Sequence, residues 1–177
     1  MELVDNDLTL RRPTDADAGA LAATVIASLA SLEPWMPWAS AAYDEAAALE
    51  WIRNGVDPTE HGFVIVDGDG TILGSCGLHR IDGPNARAEL GYWVATDRSG
   101  RGLATRAARL LVRYGFDHLG LHRVEIVMST ENERSRRVAE RIGATHEGVA
   151  RGRLRLHGRH HDVHVYGILA GEIAEPG

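Results

Sequence analysis

From Leu90 to Thr105 the chain reads Leu-Gly-Tyr-Trp-Val-Ala-Thr-Asp-Arg-Ser-Gly-Arg-Gly-Leu-Ala-Thr. A strand-forming run gives way to a turn bearing Gly100 and Gly102, and an apolar-periodic helix starts at once. The first N–H groups of a helix lack partners in their own backbone and carry partial positive charge. Glycines there let the main chain close on a phosphate without a Cβ in the way. Arg101 and Arg106 would flank such an anion. A tight turn leading into a core helix fits the same residues, because short glycine patterns recur by chance. A dinucleotide fingerprint fits poorly, since it would need glycine where Thr105 stands and a parallel strand–helix–strand unit around it.

Other chemistry is narrowed by absence. Cys76 is the sole cysteine, so neither an intrachain disulfide nor a cysteine zinc cluster can form. There is no lysine among the 19 basic residues, which removes the phosphate-binding lysine of a P-loop and the Schiff-base lysine of a pyridoxal enzyme. The run His157-Gly-Arg-His160-His161-Asp162-Val-His164 would put His160, Asp162 and His164 on one strand face. Such a set suits zinc or iron, but on a terminal hairpin a solvated face is the better expectation, and no metal is assigned.

A net charge of −6 argues against nonspecific nucleic-acid binding. The arginines nevertheless gather in Arg98–Arg113, Arg134–Arg141 and Arg151–Arg159, a distribution that suits a small anionic ligand. No apolar run approaches the roughly 20 residues of a membrane span, and the acidic start lacks signal-peptide order. A cytoplasmic protein with no membrane partner is expected.

The elements that must carry the loop follow from periodicity and punctuation. A strand is expected at Leu8–Arg11, then a helix opened by Pro13 and capped by Thr14 or Asp15, running to about Leu29. Two prolines make Glu33–Trp38 a loop, and Asp44–Asn54 a second helix. Gly62–Asp67 and Thr71–Ile81 read as a hairpin about Asp67-Gly-Asp-Gly, followed by a strand at Arg87–Val94. Leu103, Ala107, Leu110, Leu111 and Tyr114 have helical spacing up to about His118, and Gly120 stops that helix. Arg123–Ser129 is a strand, Asn132 begins a short helix, and Thr145–Leu156 with His160–Leu169 closes as a hairpin. One domain over residues 1–177 of class α+β follows.

In ordered combination these segments resemble the GNAT N-acetyltransferase superfamily, and within it the RimJ/RimL type that acetylates protein N-termini, including ribosomal proteins. The resemblance runs through Leu10-Arg-Arg-Pro13, Trp35-Met-Pro-Trp38, Ile72–Leu78, Ala88–Val94, Gly100–Thr105, Arg123-Val-Glu125, Asn132-Glu-Arg-Ser135, Glu140-Arg-Ile-Gly143 and Glu147-Gly-Val. One position departs: the superfamily loop opens on Arg or Gln, and here it opens on Ser99, as is common in this branch. The resemblance implies a single mixed, mostly antiparallel sheet of about seven strands, splayed at the middle and flanked by about four helices. It implies acetyl-CoA as co-substrate and no metal. Pantetheine would contact Tyr92, Trp93 and Val94 from one side and Asn132 from the other. The pyrophosphate would rest on Arg98, Ser99, Gly100, Arg101, Gly102, Leu103, Ala104 and Thr105. Family members are often dimers, so a homodimer is an expectation too.

Acetyl transfer needs a base, an oxyanion donor and an acid. Glu89, on the splayed strand, is the first candidate base and His79 the second. Glu89 could equally be structural, paired with an arginine, and a lone histidine such as His79 is more often a satisfied structural group. Ser135 resembles the family's thiolate donor, and Asn132 doubles as helix cap. The Val94 N–H would hold the oxyanion. Trp35, Met36 and Trp38 are expected along the acceptor channel. The acceptor is expected to be a peptide N-terminus. A small amine (antibiotic, polyamine or amino-acid derivative) is the alternative, and a non-catalytic CoA-binding sensor a third reading.

Overall fold

The computed structural model describes residues 1–54 and 59–173. Its strands are β1 (Glu2–Asp5), β2 (Leu8–Arg11), β3 (His61–Val66), β4 (Ile72–Asp82), β5 (Arg87–Val94), β6 (Arg123–Ser129), β7 (Thr145–Leu156) and β8 (Arg159–Leu169). The α-helices are α1 (Ala18–Ala27), α2 (Leu29–Leu32), α3 (Glu45–Asn54), α4 (Leu103–Leu119) and α5 (Glu133–Arg141). The expected α+β class and mixed, mostly antiparallel sheet hold, with eight strands rather than seven and five helices rather than four.

The extra strand is β1, joined to β2 by a tight turn in which Asn6 takes a left-handed φ of 52°. The extra helix arises because the first helical segment breaks at Ser28, whose buried hydroxyl accepts the Thr96 N–H at 3.1 Å. A side chain committed to tertiary contact there interrupts what periodicity reads as continuous.

Strand order is β1-β2-β3-β4-β5-β6-β8-β7. All neighbours are antiparallel except β5 and β6, which run parallel. Alternation along the strands feeds two cores. Leu8, Leu10, Phe63, Ile65, Leu78 and Leu90 pack against Leu103, Ala107, Leu111 and Tyr114 of α4. On the opposite face Val64, Val66 and Trp93 meet Leu21, Ala22 and Val25 of α1 and Ala48 and Ile52 of α3. Helix α4 ends where Gly120 adopts φ 64°, the left-handed stop that glycine permits without a Cβ penalty.

At the entry to α1, Asp17 is gripped by Arg11 through paired bonds of 2.7 and 2.8 Å and accepts the Thr14 N–H at 2.7 Å. These partners hold its carboxyl at about 2, against an ordinary value near 4. A depressed folded-state value stabilises fully above the unfolded value and is lost as pH falls from about 4 toward 2. Asp17→Asn should therefore cost about 2 kcal/mol at pH 7 and flatten the acid limb of stability below pH 4. Urea midpoints against pH for both proteins measure this; an unchanged acid limb contradicts it.

Candidate active site

The site begins where two parallel strands part. β5 and β6 pair only through Arg87–Arg123, Ala88–Val124 and Glu89–Glu125. Beyond Glu89 no pairing joins them, while β6 stays paired to β8 along its whole length. Leu90–Val94 thus lines a wedge-shaped gap. Ala95 donates its N–H to Leu73 on β4 at 2.8 Å. Amide directions alternate along a strand, so the Val94 N–H points away from β4 and into the gap.

At the wide end of the gap the chain turns through Thr96–Arg98 and enters α4, with Gly100 at φ 82° and Gly102 at φ 77°. A Cβ on either glycine would meet nothing within 4 Å. Glycine is needed at both for the left-handed backbone, and the space in front of the loop is open. Gly102 is the N-cap residue of α4 and offers no side chain to satisfy the helix's first amides, which leaves those N–H groups without a capping acceptor.

A cavity of about 540 Å³ joins these parts, a volume suited to a sizeable small-molecule ligand. Tyr92, Trp93 and Val94 form one wall, the loop residues Ser99, Gly100, Gly102, Ala104 and Thr105 the floor, and Asn132, Ser135 and Val138 of α5 the far side. Trp35 and Met36 close it from the α2 side. These expected residues come together. Trp38 does not line the cavity; it is exposed and packs on Trp93 and Tyr43 with ring centroids 6.2 and 5.6 Å away. Leu103 faces the core, Arg98 bonds Asp97 at 3.1 Å, and Arg101 is exposed outside the lining. Arg106 is not an anion ligand: Asp5 and Asp7, in the β1–β2 turn, hold its guanidinium. Arg134, Arg137 and Arg141, part of the Arg134–Arg141 cluster but not singled out from sequence as site residues, reach the cavity from successive turns of α5. Their helical spacing was the available signal.

Within the cavity, Asn132 caps α5 by accepting the Ser135 N–H at 3.1 Å, leaving its amide NH₂ unused by the cap. Ser135 Oγ lies 3.0 Å from Tyr92 Oη, which also donates to the Ser135 carbonyl at 3.1 Å. Burial pushes the Tyr92 phenol up to about 12, so it stays protonated at neutral pH. With the phenol proton given to that carbonyl, the Ser135 hydroxyl is the donor in the 3.0 Å contact to Tyr92 Oη.

The two candidate bases sit toward the narrow end, on the same sheet face as Trp93. Glu89 Oε1 is held by Arg80 at 3.2 Å and Arg153 at 3.1 Å. The arginine pairing weighed from sequence is thus present, twice over. His79 lies across Gly77 and Gly91, where a Cβ would come within 2.9 and 3.2 Å of its ring. Its Nδ1 bonds Glu60, a partner far away in sequence that reading along the chain did not reveal. In the terminal run His160 and Asp162 both bond the Gly152 backbone, while His164 bonds His146 at 3.0 Å.

Known proteins resemble this chain in sequence and fold. The description of an acetyltransferase (GNAT) domain matches residues 7–145. YdaF of Bacillus subtilis, named as a candidate ribosomal N-acetyltransferase, is 37% identical over 176 residues, covering 96% of this chain and 94% of its own. A spermidine N(1)-acetyltransferase of Escherichia coli is 32% identical over 107 residues, 60% of this chain and 57% of its own. The solved structure of Mycobacterium smegmatis RimJ in complex with CoA-disulfide superposes with a TM-score of 0.87 at 28% identity, covering 95% of this chain and 84% of that one. The chain belongs to the GNAT acetyltransferase family and is an N-acetyltransferase of that type. No helix among the described residues is long and apolar enough to cross a membrane.

Proposed function

We propose that the protein transfers the acetyl group of acetyl-CoA to the α-amine of a polypeptide N-terminus, with a ribosomal protein as the favoured acceptor class. Acetyl transfer is supported by the cavity running from the glycine loop through the gap, with the Val94 amide turned into it and the Ser135 hydroxyl on its far wall. The polypeptide acceptor is supported by the 37% identity to YdaF, named as a candidate ribosomal N-acetyltransferase. Loop amides from Ser99 to Thr105 would hold the diphosphate, and the Asn132 amide the pantetheine arm. The co-substrate supplies an activated thioester.

The chain's own residues do the rest. The Val94 N–H donates to the oxyanion as the amine nitrogen bonds to the carbonyl carbon. The Ser135 hydroxyl protonates the sulfur as the C–S bond breaks and regains a proton from solvent water. The amine proton leaves by water to His79 Nε2, whose other nitrogen Glu60 fixes. His79 is the better base because two guanidiniums occupy Glu89.

An α-amine has a pKa near 7.7–8.0, so roughly a tenth is neutral at pH 7, against one lysine side chain in a few thousand. The base therefore contributes at most about tenfold at pH 7 and little above pH 9. His79→Gln should lower kcat/KM by about fivefold or more at pH 7 and converge on the wild type by pH 9. An equal deficit at every pH would remove His79 as the base.

The polyamine reading is favoured by the similarity to spermidine acetyltransferases. Mass spectrometry after incubation with acetyl-CoA separates the two. Peptides with free N-termini should gain one acetyl group, and the same peptides with blocked N-termini none. Acetylation of spermidine with no peptide modified would reject the polypeptide acceptor.

A further inference from the structure

The thirteen residues Val149–His161 contain four arginines, three histidines and no carboxylate, in a chain of net charge −6. They form the distal half of the β7–β8 hairpin. Although β7 is the far edge of the sheet, beyond β8 and β6, this half folds back over the gap. Arg153 reaches Glu89 on β5 at 3.1 Å, and the tip residue His157 bonds the Glu33 carbonyl at 2.7 Å. Leu156 is 1% exposed beneath it. The hairpin therefore bridges from the narrow end of the gap to the loop carrying Trp35 and Met36, on the face where an acceptor must approach.

Arginines elsewhere in the sheet, such as Arg87 and Arg123, meet carboxylates of the chain itself. On the hairpin Arg153 is paired in this way, but Arg151, Arg155 and Arg159 are exposed and no carboxylate of the described residues bonds them. The neighbouring acids do not neutralise them. Glu89 is shared by Arg80 and Arg153, while Asp162, which keeps its charge as it accepts the Gly152 N–H at 2.8 Å, and Glu33, exposed near the tip, together offset at most two of the three.

We infer that this hairpin selects acceptor polypeptides carrying aspartate or glutamate within the first few residues after the N-terminal amine, and disfavours polycationic amines. The inference rests on the polypeptide-acceptor reading above and names its substrate class. An extended acceptor advances about 3.3 Å per residue, so its second to sixth residues come within the field of a hairpin whose unpaired arginines stand on both of its faces, Arg159 beside Leu156 and Arg155 beside His160. Arginine matches carboxylate geometry with two parallel donors, and like charge opposes spermidine at the same place.

The test uses peptides with one N-terminal residue and acidic, neutral or basic residues at positions two to six, with CoA release as readout. The full-length protein should show kcat/KM about tenfold higher for the acidic than for the basic peptide, the gap narrowing as salt rises from about 0.05 to about 0.5 M. Replacing Arg151, Arg155 and Arg159 by Gln should abolish the preference while leaving the neutral peptide and CoA affinity unchanged. The single exposed change Arg155→Glu should reduce it without risk to the hairpin. Equal rates for all three peptides, or a preference that survives the triple change, overturn the inference. So does a hairpin-dependent shift of a short RNA with peptide selectivity unaltered. If peptides of every charge go unmodified, it is the polypeptide-acceptor reading that falls instead.

Discussion

Ser135→Ala is expected to lower turnover about tenfold or more while CoA affinity changes little. The side chain occupies the far wall of the cavity, 3.0 Å from a phenol that burial keeps protonated. On the proposed mechanism its loss removes the proton donor to the departing sulfur without touching the loop at Gly100–Thr105. Because the helix cap uses the Ser135 main-chain N–H, alanine leaves the cap intact and the effect should appear in kcat. Stopped-flow release of free CoA together with calorimetric CoA titration separates the two terms. Unchanged turnover would remove Ser135 from the mechanism and direct attention to Tyr92→Phe.

The second large effect is structural and reaches the site through the sheet. Gly74 pairs with Val94 across β4 and β5, and a Cβ there would lie 2.2 Å from the Trp93 carbonyl oxygen and 2.9 Å from the Val94 Cα. Both obstacles are backbone, so neither can swing aside. Gly74→Ala should cost about 3 kcal/mol of stability and displace the Val94 amide, so activity should fall even in whatever fraction stays folded. Gly70→Ala is the contrast: its φ is 80° but nothing lies within 4 Å of the added carbon, leaving only a backbone cost of about 1 kcal/mol. Urea unfolding of both variants tests the pair. Equal, small losses would mean the strands can part without consequence.

Local signals carried most of what could be read from the residues. Gly100, Gly102 and Leu103 announce a turn and helix start through their own backbone preferences, Gly120 its end, and β7 is bounded as its alternation suggests. The misreadings of Arg106 and His79 share one cause, partners distant along the chain. Arg106 sits in register to flank an anion, yet Asp5 and Asp7, about a hundred residues away, take it. His79 reads as solitary until folding brings Glu60 to its Nδ1. β1 escaped because half of its four residues are exposed, including Val4 at 60%, so burial leaves little pattern in so short an edge strand. The arching of the β7–β8 hairpin over the gap depends on the Arg153–Glu89 and His157–Glu33 contacts, which no periodicity encodes.

The central claim is that main-chain amides between Ser99 and Thr105 hold a diphosphate while Val94 faces the thioester in the gap between β5 and β6. Calorimetric titration of the purified protein with coenzyme A tests it most directly. Saturable heat at one CoA per chain, weakened in a Gly102→Ala variant whose fold is intact, is the predicted result. No heat, or affinity indifferent to that substitution, would contradict it.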